Sequence, residues 1–350
     1  MSRWARIRIT KPFQQQPPYD TTPVKPAPES PPVVSEVTTG GWPFSAADAI
    51  RQQQETAPAG TQGQLTLPLR DADPAKLTTL RLVWIPPGNF VMGSADGHPD
   101  ERPPHPVLIE KGFWMGRTEI TNAQFREYMA SHESRTEDRH GYQFGALGYD
   151  QDQPGQPAVR VSWDEAAGYC QWLSQKTGRK FTLPTEAQWE WACRAGAANP
   201  FWWGGMDTDY SPYANLGDRR LMEFAADTAL DNYSAARPMV NPNRYDDWIP
   251  HDERFDDGGL VTVQAGQYRP NPWGLNDMHG NAWEWTRSVY RPYPYRPDDA
   301  GGNPSGAGTE RVVRGGSWHD RPKRCTASFR LAYPQFQKVF NVGFRVVCAE

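Results

Sequence analysis

Gly274-Leu275-Asn276-Asp277-Met278-His279-Gly280-Asn281-Ala282-Trp283-Glu284-Trp285 crowds acidic side chains, two tryptophans and turn-forming Gly and Asn into one short loop and strand. A hard cation such as calcium takes about six to eight oxygen ligands. The side chains of Asp277 and Glu284, with the carbonyls of Gly280 and Ala282, offer charged and backbone oxygens from a single turn. Plain turn chemistry also places an Asp at a bend, and a half-buried strand also places a Glu between tryptophans. On this stretch alone both readings stand.

Working outward, the chain has 350 residues, enough for one large or two ordinary domains with a substantial core. Fifteen Trp, 14 Tyr and 14 Phe stand beside 31 Gly and 34 Pro. The apolar content is therefore aromatic and the backbone heavily punctuated, which favours a loop-rich fold over a helical bundle. A net charge of -4 and a pI near 6.0 lack the basic footprint of a nucleic-acid binder. No run of about eighteen apolar residues is present to span a membrane. The basic opening, residues 1–11, runs into Pro and Gln without an apolar h-region, so a secretory signal is not read and a cytoplasmic setting is expected. Cys170, Cys193, Cys325 and Cys348 leave three full pairings open, and a chain of this size does not need them for stability, so free thiols are expected.

Residues 12–36 are rich in Pro, Gln, Thr and Ser, with too few apolar positions to offset the entropy of ordering. They read as the body of a Pro/Gln-rich arm, residues 1–76. One short helix is expected in it, capped by Ser45, with Trp42 and Phe44 pinning it to the main body. A folded domain is expected over 77–350. Strands are read at 80–85, 89–93, 107–109, 113–116, 311–314, 315–318 and 342–348. Helices are read over 121–129 behind a Thr cap, over 162–173 with the capping box Ser162/Glu165, and over 182–193 with Thr185 and Gln188 as cap and reciprocal partner. Capped helices followed by aromatic, turn-rich sequence indicate an α+β fold, not alternating βαβ units.

Taken in order, Phe90-Val91-Met92-Gly93-Ser94, Glu119-Ile120-Thr121-Asn122, Leu183-Pro184-Thr185-Glu186-Ala187-Gln188-Trp189-Glu190, Gly280-Asn281-Ala282-Trp283-Glu284-Trp285, Arg314-Gly315-Gly316-Ser317-Trp318 and Val342-Gly343-Phe344-Arg345 resemble the formylglycine-generating enzyme (sulfatase-modifying factor) family. The resemblance implies a C-type-lectin-like fold with little regular secondary structure for its size. Active members are copper-dependent oxidases that convert a peptide cysteine to formylglycine, with calcium bracing the fold. Carried across by position, one calcium site would use the side chains of Asn215 and Asp257 with the carbonyls of Leu216 and Gly259. A second would use Asp277 and Glu284 with the carbonyls of Gly280 and Ala282.

The same transfer exposes a departure. The two copper-binding cysteines of the family fall on Asp320 and Cys325, and a carboxylate is a hard ligand where copper(I) needs a soft thiolate. Ser317 and Trp283 match residues that line the family's reaction pocket. His319 beside Asp320, with Cys325 following, raises a zinc or iron alternative. Iron-dependent relatives pair this fold with a helical His-x-x-x-His-x-Glu domain, and none of the seven histidines forms that arrangement. Cys170 and Cys348 match, directly or two residues displaced, positions bridged in secreted relatives, whereas Arg330 stands where the partner of Cys193 would be.

Two functional classes follow. One is a sulfatase-modifying-factor-type metal-dependent oxidoreductase with altered ligands, in which Cys325, Ser317 and Trp283 carry the chemistry. The other is a calcium-braced module binding a protein or peptide through Trp318, His319, Asp320, Lys323, Arg324, Phe329, Tyr333 and Phe336, an aromatic and Arg mixture of the kind enriched at binding hot spots. A structural partner whose arm orders on another protein is a blander third reading.

Overall fold

The computed structural model describes residues 39–70, 78–137, 149–221, 252–296, 299 and 309–349. The arm read over 12–36 and residues 222–251 lie outside these. Helix α1 (Ala46–Thr56) is capped by Ser45, whose hydroxyl accepts from Asp48 N. It is stitched to the domain: Trp273 Nε1 donates to Ala49 O at 3.0 Å, and Gln53 Nε2 donates to Trp84 O at 2.6 Å and Trp273 O at 2.9 Å. Phe44 packs edge-on to Trp191, as expected of a pinning residue.

The domain starts earlier than residue 77. Strand β1 (Gln64–Pro68) falls in a segment assigned to the arm on sequence, yet it pairs antiparallel with β2 (Thr79–Ile85) along its whole length. They open a five-stranded sheet in the order β1-β2-β5-β13-β8, with β5 (Phe113–Gly116), β8 (Phe181–Thr182) and β13 (Val347–Cys348). A second sheet runs β11-β10-β9-β12, from β9 (Trp283–Val289), β10 (Glu310–Arg314), β11 (Arg330–Pro334) and β12 (Val342–Gly343). Two hairpins complete the strands: β3 (Gly88–Met92) with β4 (His105–Ile109), and β6 (Thr136–Glu137) with β7 (Tyr149–Asp150).

Side chains of successive strand residues point to opposite faces, and β2 shows the consequence. Leu80, Leu82 and Trp84 enter one hydrophobic cluster with Trp114, Phe125, Tyr169, Trp283 and Phe344. Val83 and Ile85 enter another with Phe90, Trp189, Trp191 and Trp273. Strand β2 is thus packed on both faces, while β1 at the sheet edge is exposed at alternate residues.

Helices α2 (Asn122–Arg126), α3 (Trp163–Thr177) and α4 (Glu186–Arg194) all start at reciprocal capping boxes, Thr121/Gln124, Ser162/Glu165 and Thr185/Gln188. Two strand expectations are corrected. Residues 315–318 form a turn, because Gly315 and Gly316 take φ of 102° and 77°, outside the strand region. The C-terminal run divides into β12 and β13, and between them the Arg345 side chain turns inward to Glu284.

That ion pair belongs to a buried set joining the helices to the second sheet. Arg330 clasps Glu186 through Nε and Nη2, both at 2.8 Å. Arg314 reaches Glu186 at 3.4 Å and also pairs with Glu190, which accepts from Arg194 Nε at 2.9 Å and Nη2 at 2.7 Å. All these side chains are at most 4 % exposed. Much of what makes the α4, Arg-Gly-Gly-Ser and Gly-Phe-Arg segments distinctive in the sequence is therefore internal charge pairing.

Candidate functional site

The loop between Gly274 and Ala282 is built on left-handed backbone: φ is 56° at Asp277, 79° at Gly280 and 61° at Asn281. At Gly280 a side chain is also sterically excluded, since a Cβ would lie 2.2 Å from the carbonyl oxygen of Asn215. That approach forms a parallel bridge between Asn215 and Gly280, closed by Asn281 N donating to Asn215 O at 2.8 Å. The loop thereby brings two buried oxygen clusters side by side.

The first cluster holds Asn215, Leu216, Asp257 and Gly259. Asp257 Oδ2 accepts from Leu216 N at 2.7 Å and its Oδ1 from Gly259 N at 2.8 Å. Asn215 Nδ2 donates to Val261 O at 2.8 Å and to Asn281 Oδ1 at 3.1 Å, while its Oδ1 is buried with no partner. Burial, followed by the charge of Asp218, pushes the Asp257 carboxyl up to about 8.

The second cluster contains a residue without an assigned role on sequence, Glu119 of the Glu-Ile-Thr-Asn motif. Glu119 Oε1 accepts from Asn281 Nδ2 at 2.9 Å, and its Oε2 is buried without a partner. Asp277 is in the same condition: Oδ2 accepts from Gly266 N at 2.6 Å and Oδ1 is orphaned. Burial, followed by the Asp277 charge, raises the Glu119 carboxyl well above its ordinary range, and burial raises Asp277 as well. Glu284 is more heavily committed than the sequence suggests. It accepts from Arg345 Nη2 at 2.5 Å, Arg345 Nε at 2.6 Å and Trp189 Nε1 at 2.8 Å, filling three of its roughly four lone-pair sites.

These orphaned oxygens fit a hard cation. Buried acceptors with no donor are costly, and a divalent ion reverses the local preference for protonated carboxyls. Calcium's oxygen chemistry matches Asn215, Asp257, Glu119 and Asp277 together with nearby carbonyls. Asn281 touches both clusters, through Asn215 on one side and Glu119 on the other. Among the described residues no three His, Cys, Asp or Glu side chains are grouped to hold a metal, so a cation here would rely on amide and carbonyl oxygens as well.

Beyond the Gly315-Gly316 turn lie Asp320 and Cys325, the pair that the family resemblance sets against copper ligands, and a carboxylate with one buried thiol does not suit copper(I). Asp320 Oδ2 accepts from Trp283 Nε1 at 2.7 Å and from Ser317 Oγ at 2.6 Å, and Oδ1 pairs with Arg324 Nη1 at 2.9 Å. Asn341 Nδ2 supports Ser317 Oγ at 2.8 Å. Cys325 is fully buried, its Sγ 3.5 Å from the Asp320 carbonyl oxygen, and a Cβ on Gly316 would sit 2.2 Å from that sulfur. Burial, and then the Asp320 charge, pushes the Cys325 thiol well above its ordinary range, away from the thiolate a metal needs. The zinc or iron grouping of His319, Asp320 and Cys325 is likewise not formed.

The remaining site residues divide by burial. Trp318, Asp320 and Phe329 are buried, as are Trp283 and Ser317. Trp318 packs with Leu221 and Val261, and Phe329 packs against Trp283. The expected binding surface thus contracts to His319, Lys323, Arg324, Tyr333 and Phe336, of which Phe336 is 63 % exposed. All four cysteines are buried free thiols. Cys193 Sγ lies 3.3 Å from Nε2 of His279, whose Nδ1 donates to Cys325 O at 2.6 Å. Burial pushes this imidazole down to about 3, so the Cys–His contact is a neutral packing pair. No helix among the described residues is long and apolar enough to cross a membrane.

A family model described as a sulfatase-modifying factor enzyme 1-like domain matches residues 68–350. The formylglycine-generating enzyme of Bos taurus is 27 % identical over 86 % of this chain and 81 % of its own length. A Mus musculus protein named inactive C-alpha-formylglycine-generating enzyme 2 is 28 % identical, over 75 % and 84 %. The solved structure of PvdO from Pseudomonas aeruginosa superposes with a TM-score of 0.57 at 26 % identity, covering 77 % of this chain and 94 % of that one. The α+β, C-type-lectin-like architecture is the one the motifs implied. By its motifs, its fold and the span of the match, the chain belongs to the sulfatase-modifying factor enzyme 1-like family.

Proposed function

We propose that this chain is a family member that has lost the copper-dependent oxidation of cysteine to formylglycine and serves as a calcium-braced interaction module. The observation that carries the reading is the Asp320 carboxylate, held by Trp283, Ser317 and Arg324 at a position where the oxidases place a thiolate. With one thiolate replaced and Cys325 kept as a buried thiol, a soft two-sulfur site is absent. The likeness to a relative named inactive agrees with this reading, although relatives named as formylglycine-generating enzymes match equally well. The orphaned oxygens of Asn215, Glu119 and Asp277 support calcium as the structural ion. Half-exposed Arg324 and exposed Phe336 support a protein or peptide ligand, the one offering a cation and the other an apolar ring.

The test is a copper(I) titration against a competing chelator, with wild type and Asp320→Cys side by side. The wild-type chain is expected to retain no stoichiometric copper(I), while Asp320→Cys, with its second sulfur, gains it. One tightly held copper(I) per wild-type chain, lost in Cys325→Ser, overturns the reading.

A further inference from the structure

We propose that the cavity bordered by the end of α1, the turn into β5 and strand β13 is a binding site for a small organic anion with an apolar body. Its volume is about 540 Å³, within the range of small-molecule sites, and it shares no residue with the Asp320 pocket or the two oxygen clusters. Its charged lining is Lys111, Lys180 and Arg287, with no Asp or Glu among the described lining residues. None of these three cations has an ion-pair partner among the described residues, and the Nε of Arg287 is buried with no acceptor.

Exposed Lys111 and Lys180 and half-buried Arg287 give one cavity an unbalanced positive lining, and a buried donor without an acceptor is unfavourable. An anion relieves both at once. Burial already lowers the Arg287 pKa from its ordinary value, the mark of a guanidinium without a counter-charge. The rest of the lining mixes polar Thr56, Thr182 and Gln188 with an apolar side that includes Trp84, Phe113 and Val347. Gly112 lets the backbone lie against the Trp84 ring, since a Cβ there would meet that ring at 2.1 Å. A carboxylate or phosphate would take the Arg287 fork, which suits planar bidentate acceptors, while its organic body lies on the aromatic wall.

The test is isothermal titration with phenyl phosphate as probe, alongside inorganic phosphate and uncharged benzyl alcohol. It is run on the full chain and on Glu350→Gln, which removes a carboxylate adjoining Ala349 in sequence. Phenyl phosphate is expected to bind at one site, more tightly than either control, and to weaken as salt is added. Arg287→Gln, and separately the double variant Lys111→Gln/Lys180→Gln, is expected to weaken it about tenfold or more, with an unchanged melting temperature showing that the fold is intact. Two separate variants keep the test decisive should one of them fail to fold. No binding to either chain overturns the proposal, as does binding that both variants leave untouched. Equal affinity for inorganic phosphate overturns the apolar-body requirement, and equal affinity for benzyl alcohol overturns the anionic one.

Discussion

Trp283 Nε1 donates to Asp320 Oδ2 across 2.7 Å, tying an indole of the second sheet to a carboxylate of the loop that follows β10. Asp320 is 4 % exposed, so its loss would leave the buried Trp283 N–H and Ser317 hydroxyl without an acceptor. Arg324 is about 40 % exposed and adds little through its ion pair. Asp320→Ala is expected to destabilise the chain by about 2–3 kcal/mol, read from the urea midpoint at constant m-value. Asp320→Asn, which keeps an acceptor, is expected to lose less.

Calcium removal offers a second check. A ligand present at a hundred times its dissociation constant adds about 2.7 kcal/mol to stability. Chelation of the calcium-loaded protein should therefore lower its melting temperature, and Asn215→Ala should reduce that response. Glu119→Gln is sharper, because burial already favours the neutral, protonated carboxyl in the metal-free chain, and the amide removes only the charge that a bound cation would call on. Its metal-free form is expected to match or exceed wild type in stability, and its gain on adding calcium to shrink.

The internal ion pairs should behave as buried pairs do, where removing one partner strands the other. Arg345→Ala leaves Glu284 without its two closest donors, and a loss of roughly 3–5 kcal/mol is expected. Arg345→Ala combined with Glu284→Gln should recover part of it, measured as a coupling energy in a double-mutant cycle.

Stability should fall in mild acid through His132. Burial, then the Arg126 charge, holds this imidazole down to about 4 from an ordinary value of 6.5. The folded state thus binds fewer protons than the unfolded chain between those limits. Its contribution is fully present above pH 6.5 and is lost as pH drops toward 4, by up to roughly 3 kcal/mol. Denaturation curves over that window should be flatter for His132→Gln than for wild type.

The thiols supply a fifth readout. Cys170, Cys193 and Cys325 are buried and burial raises each thiol pKa, so alkylation of the native chain near neutral pH should be slow at all three. Full labelling is expected only in denaturant. Fast modification of Cys325 in the folded protein would contradict the buried-thiol description.

What was legible in the sequence was what is local. The cap at Thr121 and the capping boxes at Ser162 and Thr185 were readable because donor and acceptor lie three residues apart. Strand β1 was missed because Gln64–Pro68 is short, ends in Pro and follows a Gly- and Thr-rich run that resembles a linker. The roles of Glu119 and Asn281 were missed because 162 residues separate two side chains that meet only through the fold. The buried Arg–Glu set was missed for the same reason: Arg314 and Glu190 are 124 residues apart, and charged residues read as surface until their partners are known. Trp318 and Phe329 were read as outward-facing, since an Arg and aromatic mixture does not by itself tell a pocket from the margin of a core.

The register of β1 on β2 decides how this chain can be shortened. The family match begins at residue 68, so a fragment cut there keeps β2 but discards the strand that covers its outer edge. Five residues of β2, Thr79–Val83, would then lose their β1 partners and present an open edge, and the loss of Phe44 and α1 would bare Trp191 and Trp273. Such an edge templates self-association. Strand β1 therefore closes the β2 edge that a cut at residue 68 would open to pairing with another chain.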